Sequence, residues 1–112
     1  MSYQGDYKVD YADLNFKFTT RTTSGIPTQL AGTPVISIYK SNDTGTEKTS
    51  AESYITLDVD FDSVTGCNHV KIDLSANAFF EAGKDYQVVI TTGTVGGVSV
   101  VGEVVGQFSI GN

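Results

Sequence analysis

The chain has 112 residues, 13 acidic against 7 basic side chains, a net charge of −6 and 39% hydrophobic residues. That length supports one domain with a real core and leaves no chain for a second, which excludes a large multi-substrate enzyme. The missing basic run excludes the electrostatic footprint of a nucleic-acid binder, and no stretch approaches the ~20 apolar residues of a membrane-spanning helix.

Cys67 is the only cysteine and His69 the only histidine, so an intrachain disulfide and an ordinary zinc site are both excluded. No metal or other cofactor is implied. Met1 to Asp6 lack the basic start and apolar stretch of a secretory signal, so synthesis in a reducing cytoplasm is expected. Twelve glycines, six tyrosines and six phenylalanines suit a β-rich domain.

Residues 1 to 13 interleave Tyr3, Tyr7 and Tyr11 with Asp6, Asp10 and Asp13 and show no strong core pattern. They read as an N-terminal arm. Tyr7, Val9 and Tyr11 have strand period, while the tyrosine spacing also suits one helical face. Gly5 and the aspartates weaken the helix and favour an extended segment.

From Leu14 the pattern is clear: Leu14, Phe16 and Phe18 alternate with Asn15, Lys17 and Thr19, which predicts a half-buried strand. Gly25 and Pro27 turn the chain, and Ala31 to Pro34 close a loop before a strand over Val35 to Lys40. Residues 41 to 53 read as a surface loop. Ile55, Leu57, Val59 and Phe61 then predict a strand with one core face and one acidic face, turning at Ser63 to Gly66 into a strand over Asn68 to Leu74.

Ser75 to Ala82 could form one helical turn with Ser75 as cap, stopped by Gly83. A strand opens with Tyr86, Val88 and Ile90. Gly96 and Gly97 then signal a two-residue hairpin leading into a return strand over Val98 to Val105, and Phe108 and Ile110 end the alternation. Six or seven short strands without a convincing helix predict an all-β chain folded as a two-sheet antiparallel sandwich over residues 14 to 112.

Two patterns carry possible chemistry. Asp58, Asp60 and Asp62 open like a calcium loop, but the position needing glycine is Ser63 and the one needing glutamate is His69. A strand would instead set the three carboxylates in a row on one face, as a solvated stripe, a weak Ca²⁺ site completed by a neighbour, or a dock for a basic partner. Cys67 and His69 share a strand face, yet a nucleophile also needs an orienting group and an oxyanion site. No nucleophile elbow, zinc-protease helix or phosphate loop is present, so no catalytic residue is assigned and the chain reads as no enzyme.

Tyr86, just after Gly83, fits a tyrosine corner, whose hydroxyl bonds backbone upstream. Tyr3, Tyr7 and Tyr11 have no place in a small core and suit an interface. Val98, Val100 and Val101 add apolar surface near a sheet edge that a partner would cover. Pro27, Gly83 and Gly97 are read as structural turn residues. A glycan-binding alternative would use Tyr39, Tyr54 or the arm tyrosines as its platform.

The run from Gly25 to Lys40, GIPTQLAGTPVISIYK, is similar to a segment of small Ig-like proteins encoded among the structural genes of tailed bacteriophages and prophages. Thr65 to Asp73, Ala82 to Thr91, Val98 to Gly102 and Gly106 to Ile110 resemble the same family's strand motifs. The resemblance covers about residues 14 to 110 and leaves the arm outside it. It implies an Ig-like Greek-key sandwich in the virion, made in the host cytoplasm. It carries over no catalytic residue, and the short single-domain chain and acidic charge then favour a capsid decoration or head-exterior protein before a tail, neck or baseplate component. Other virion proteins, and further copies of this chain, are the expected partners.

Overall fold

The computed structural model describes residues 3–111; Met1, Ser2 and Asn112, which the arm and domain limits include, lie outside them. Nine strands follow in order: β1 Tyr3–Tyr7, β2 Leu14–Thr19, β3 Leu30–Lys40, β4 Lys48–Thr49, β5 Ile55–Asp58, β6 Cys67–Ile72, β7 Lys84–Val95, β8 Val98–Ser99 and β9 Val104–Ile110. One 3₁₀ turn at Phe61–Ser63 is the only helical element among the described residues. The chain is all-β.

The strands form two sheets, a larger one in the order β1-β9-β7-β3-β4 with β8 beside β7, and a smaller one in the order β2-β6-β5. Alternation explains both. In β2 the even residues Leu14, Phe16 and Phe18 point inward and Asn15, Lys17 and Thr19 outward, while β6 sends Asn68, Val70 and Ile72 inward. These meet Ile36, Ile38, Tyr86, Val88, Ile90, Phe108 and Ile110 from the larger sheet in one continuous core. At 20–33 cal/mol per Å² of buried apolar surface, this core is the main source of stability.

The sheets approach closest where β2 crosses β9. A Cβ on Gly106 would lie 2.7 Å from the Phe16 ring, so only glycine lets that ring fill the gap between the sheets.

Several boundaries differ from the expectations. The segment read as an arm is extended, but its strand is Tyr3–Tyr7 rather than 7 to 11, and it lies parallel to β9. Gly111 N–H donates to the Tyr7 carbonyl at 2.8 Å, and the Tyr7 ring meets Phe108 edge-on at 6.4 Å. β3 begins at Leu30, because the chain stays paired to β7 through bulges around Ala31 to Ile36, and the turn residues Gly32 and Pro34 fall inside that irregularity.

The surface loop after Lys40 holds a two-residue strand, β4, paired to Ser37 and Ile38. Ser75 to Ala82 forms turns rather than a helical turn, with Asn77 Oδ1 accepting from Phe79 N–H. The return strand over Val98 to Val105 is broken. β8 stops at Ser99, Gly102 takes φ +100, and pairing to β7 resumes at Val104.

Candidate functional site

The acidic stripe does not form. β5 ends at Asp58, and Asp60 and Asp62 take left-handed φ values of 53° and 57°. Aspartate tolerates that region because its side chain can bond backbone locally. Asp60 Oδ1 accepts from Gly66 N–H at 2.8 Å, tying the turn that leads into β6. The three carboxylates therefore have different surroundings instead of one row, and no metal-holding group of three ligands occurs among the described residues.

Cys67 and His69 lie on the outer face of β6. His69 Nε2 sits 2.9 Å from Asn15 Oδ1, a geometry that puts the ring proton on Nε2. Its Nδ1 is 3.5 Å from Asp58 Oδ2, and Phe61 covers the ring at 4.7 Å between centroids. Lys17 Nζ lies over the Phe61 ring, 4.6 Å from its centroid. The result is a polar cluster joining β2, β5 and β6. Sequence reading misses it, since Asn15 and His69 are 54 residues apart and only the strand register brings them together.

The six interface candidates separate. Tyr3, Val98 and Val101 are 60%, 56% and 58% exposed. Tyr7 and Val100 are partly buried against the core. Tyr11 stacks on Tyr7 at 5.5 Å and its carbonyl accepts from Leu74 N–H. Tyr3 pairs with Gln107, on the half of β1 nearer the β8 hairpin, whereas Tyr7 pairs with Ile110 at the opposite end. Gln107 in turn pairs with Gln87 near the start of β7, while Val98 pairs with Val95 at its far end, so Tyr3 stands apart from the exposed Val98 and Val101.

The Tyr86 ring is packed among those of Phe79, Phe80 and Phe108, and its hydroxyl reaches backbone. It donates to the Phe79 carbonyl at 3.0 Å and accepts from Glu81 N–H at 2.7 Å. Burial raises its pKa, a hydrogen bond from Glu81 opposes the rise, and the Glu81 charge adds to it. Gly83 N–H donates to the Ile110 carbonyl, which closes the same corner. Gly96 and Gly97 take positive φ, so Val95 and Val98 pair directly across the turn. Pro27 bridges to Arg21 and stands against Gly66.

Two clefts remain. One of about 290 Å³ opens between the end of β2 and the start of β9, lined by Thr19, Thr20, Ile90, Val100, Glu103 and Val105 among others. A shallower one of about 370 Å³ is lined by Tyr54, Thr56, Lys71 and Asp73. Tyr54 spends its ring on an edge contact to Phe80 at 6.0 Å, and Tyr39 is half-buried beside Gln87. Comparison with protein-family models, with curated proteins and with solved structures found no match.

Proposed function

We propose that this chain is a non-enzymatic, Ig-like structural subunit of a phage virion. It would bind other virion proteins and further copies of itself through Tyr3, Val98 and Val101. The observation that carries the reading is the exposure of Tyr3 on β1 and of Val98 and Val101 at the β8 turn, apolar surface that a partner would cover. The order β1-β9-β7-β3-β4 facing β2-β6-β5 supports the Greek-key part. So does Tyr86 at the start of β7, bonding backbone upstream. The groups with reactive chemistry support a structural role, because Asp60 ties a turn and His69 is packed under Phe61.

Within the virion, a capsid decoration or head-exterior position comes before a tail, neck or baseplate one, since a net charge of −6 keeps many copies soluble before assembly and disfavours contact with DNA. The test is mass spectrometry of purified phage particles from the host that encodes the chain. Peptides of this chain in the particle fraction, reduced when Tyr3, Val98 and Val101 are all changed to serine, are expected. Recovery in the soluble fraction alone would contradict the reading.

A further inference from the structure

β1 lies at the edge of the larger sheet and pairs with β9 alone. Its register meets β9 at Tyr3, Asp6 and Tyr7, with an irregularity between the first two, and parallel pairing of this kind is the weaker sort. Side chains complete the seat: the Tyr7 ring meets Phe108, and Ser109 Oγ donates to Asp6 Oδ1 at 2.8 Å. Among the described residues, β1 joins the other elements only through residues 8–13, all of them exposed. No core side chain therefore fixes the path between Tyr7 and Leu14.

That path starts with a turn whose residues suit it poorly. Tyr11 N–H donates to the Lys8 carbonyl at 3.3 Å, which leaves Val9 and Asp10 at the centre. Asp10 takes a φ of 64°, the left-handed value for which a turn at this place favours glycine or asparagine. Asp60 takes a similar φ and bonds Gly66 N–H. The Asp10 carboxylate has no such bond among the described residues. Val9 is exposed, so burial does not offset the strain. Beyond the turn the chain is anchored again, because the Tyr11 carbonyl accepts from Leu74 N–H and Leu14 is buried.

We infer that two copies of this chain exchange β1, each laying its own Tyr3–Tyr7 against the other's β9 while Lys8 to Tyr11 straightens into a hinge. The occupant follows from the seat itself. A second copy's β1 remakes the pairing to β9, the contact on Phe108, the bond to Ser109 and the stack of Tyr7 on Tyr11. Only the turn at Asp10 is given up, and a short hinge under strain is what tips a fold toward exchange. Straightened, Lys8 to Tyr11 spans roughly 10 Å at ~3.4 Å per residue, enough to carry β1 from one domain to its neighbour.

The two forms interchange slowly, because β1 must first leave Phe108 and β9. Fresh protein kept cool is closed, and the exchanged dimer collects when concentrated protein is warmed and then persists on dilution. Association through Tyr3, Val98 and Val101 reverses on dilution instead. Absence of the chain from phage particles would leave the exchange standing.

The test uses two full-length chains that both carry Cys67→Ser, one with Asp6→Cys and the other with Ser109→Cys, positions that face each other across β1 and β9. Mixed at high concentration, warmed and then oxidised, they should form a disulfide-linked pair that a sample mixed cold does not show. Both changes in one chain, oxidised before warming, should close a disulfide within that chain and abolish the lasting dimer. Asp10→Gly relieves the turn and should lower the lasting dimer at least roughly three-fold. Asp10→Pro fixes φ at about −65°, which the closed turn cannot use, and should raise it by at least as much. Absence of the mixed disulfide after warming, while the single-chain pair still closes, would overturn the inference, as would equal dimer in Asp10→Gly and Asp10→Pro.

Discussion

Tyr86 shows how much one hydroxyl can hold. It satisfies a carbonyl and an N–H in a chain reversal that has no helix or ladder to do so, and leaving both unpaired in a buried site is costly. Tyr86→Phe is expected to lower stability by about 2 to 3 kcal/mol, read from denaturant midpoints at neutral pH. A change below about 0.5 kcal/mol would show the corner to be held elsewhere.

The same residue sets an alkaline limit. Its folded pKa is raised, so the native state keeps the proton while the unfolded chain releases it near the usual tyrosine value of about 10. Stability is therefore intact below that pH and falls as pH rises toward the folded value. Tyr7 and Tyr54, also raised by burial, add to the fall. Melting curves between neutral and alkaline pH check this, and the fall should be shallower in Tyr86→Phe.

Letters at this scale were informative where one conformation explains them. A tyrosine opening a strand just after a glycine turn is such a case. Asp-x-Asp-x-Asp is not, because alternation looks the same whether the strand continues or coils into a left-handed turn. What decides is Gly66, whose φ is +80° and whose missing Cβ leaves room for Thr28 N at 2.8 Å. Gly66→Ala is expected to cost at least about 2 kcal/mol from backbone strain and contact together, as thermal unfolding would report.

Among the elements, strands whose two faces differ were legible. β2 and β6 alternate cleanly because each has one face in the core and one in water. β1 was less so, since its partner β9 is about a hundred residues away and parallel pairing leaves no local turn to betray it. β3 was partly hidden by Gly32 and Pro34, which mark a loop in most contexts and a bulge here.

The contact between sheets makes a sharper test. Gly106→Ala should cost about 1 to 3 kcal/mol by pushing on Phe16. Adding Phe16→Leu should recover part of that loss, giving a coupling that a double-mutant cycle measures. Additive losses would place the two residues out of contact.

On the scale of the whole molecule, Asp58, Asp60 and Asp62 have separate surroundings and His69 joins a cluster with Asn15, Asp58 and Phe61. What the surface presents is exposed apolar side chains, among them Tyr3, Val98 and Val101. The sequence marked Tyr3, Val98 and Val101 as apolar residues outside the core pattern, but it marked Tyr7, Val100 and Tyr11 in the same way. Only packing separates the two groups, because Tyr7 meets Phe108 and Tyr11 stacks on Tyr7.

The central claim is that the exposed Tyr3, Val98 and Val101 bind partners. Light scattering of the full chain over a range of concentrations tests it most directly, with the variant carrying Tyr3→Ser, Val98→Ser and Val101→Ser alongside. The account predicts oligomers that grow with concentration for the unaltered chain and a monomer with an unchanged melting temperature for the variant. A monomer at every concentration for the unaltered chain, or equal assembly by both, would contradict it.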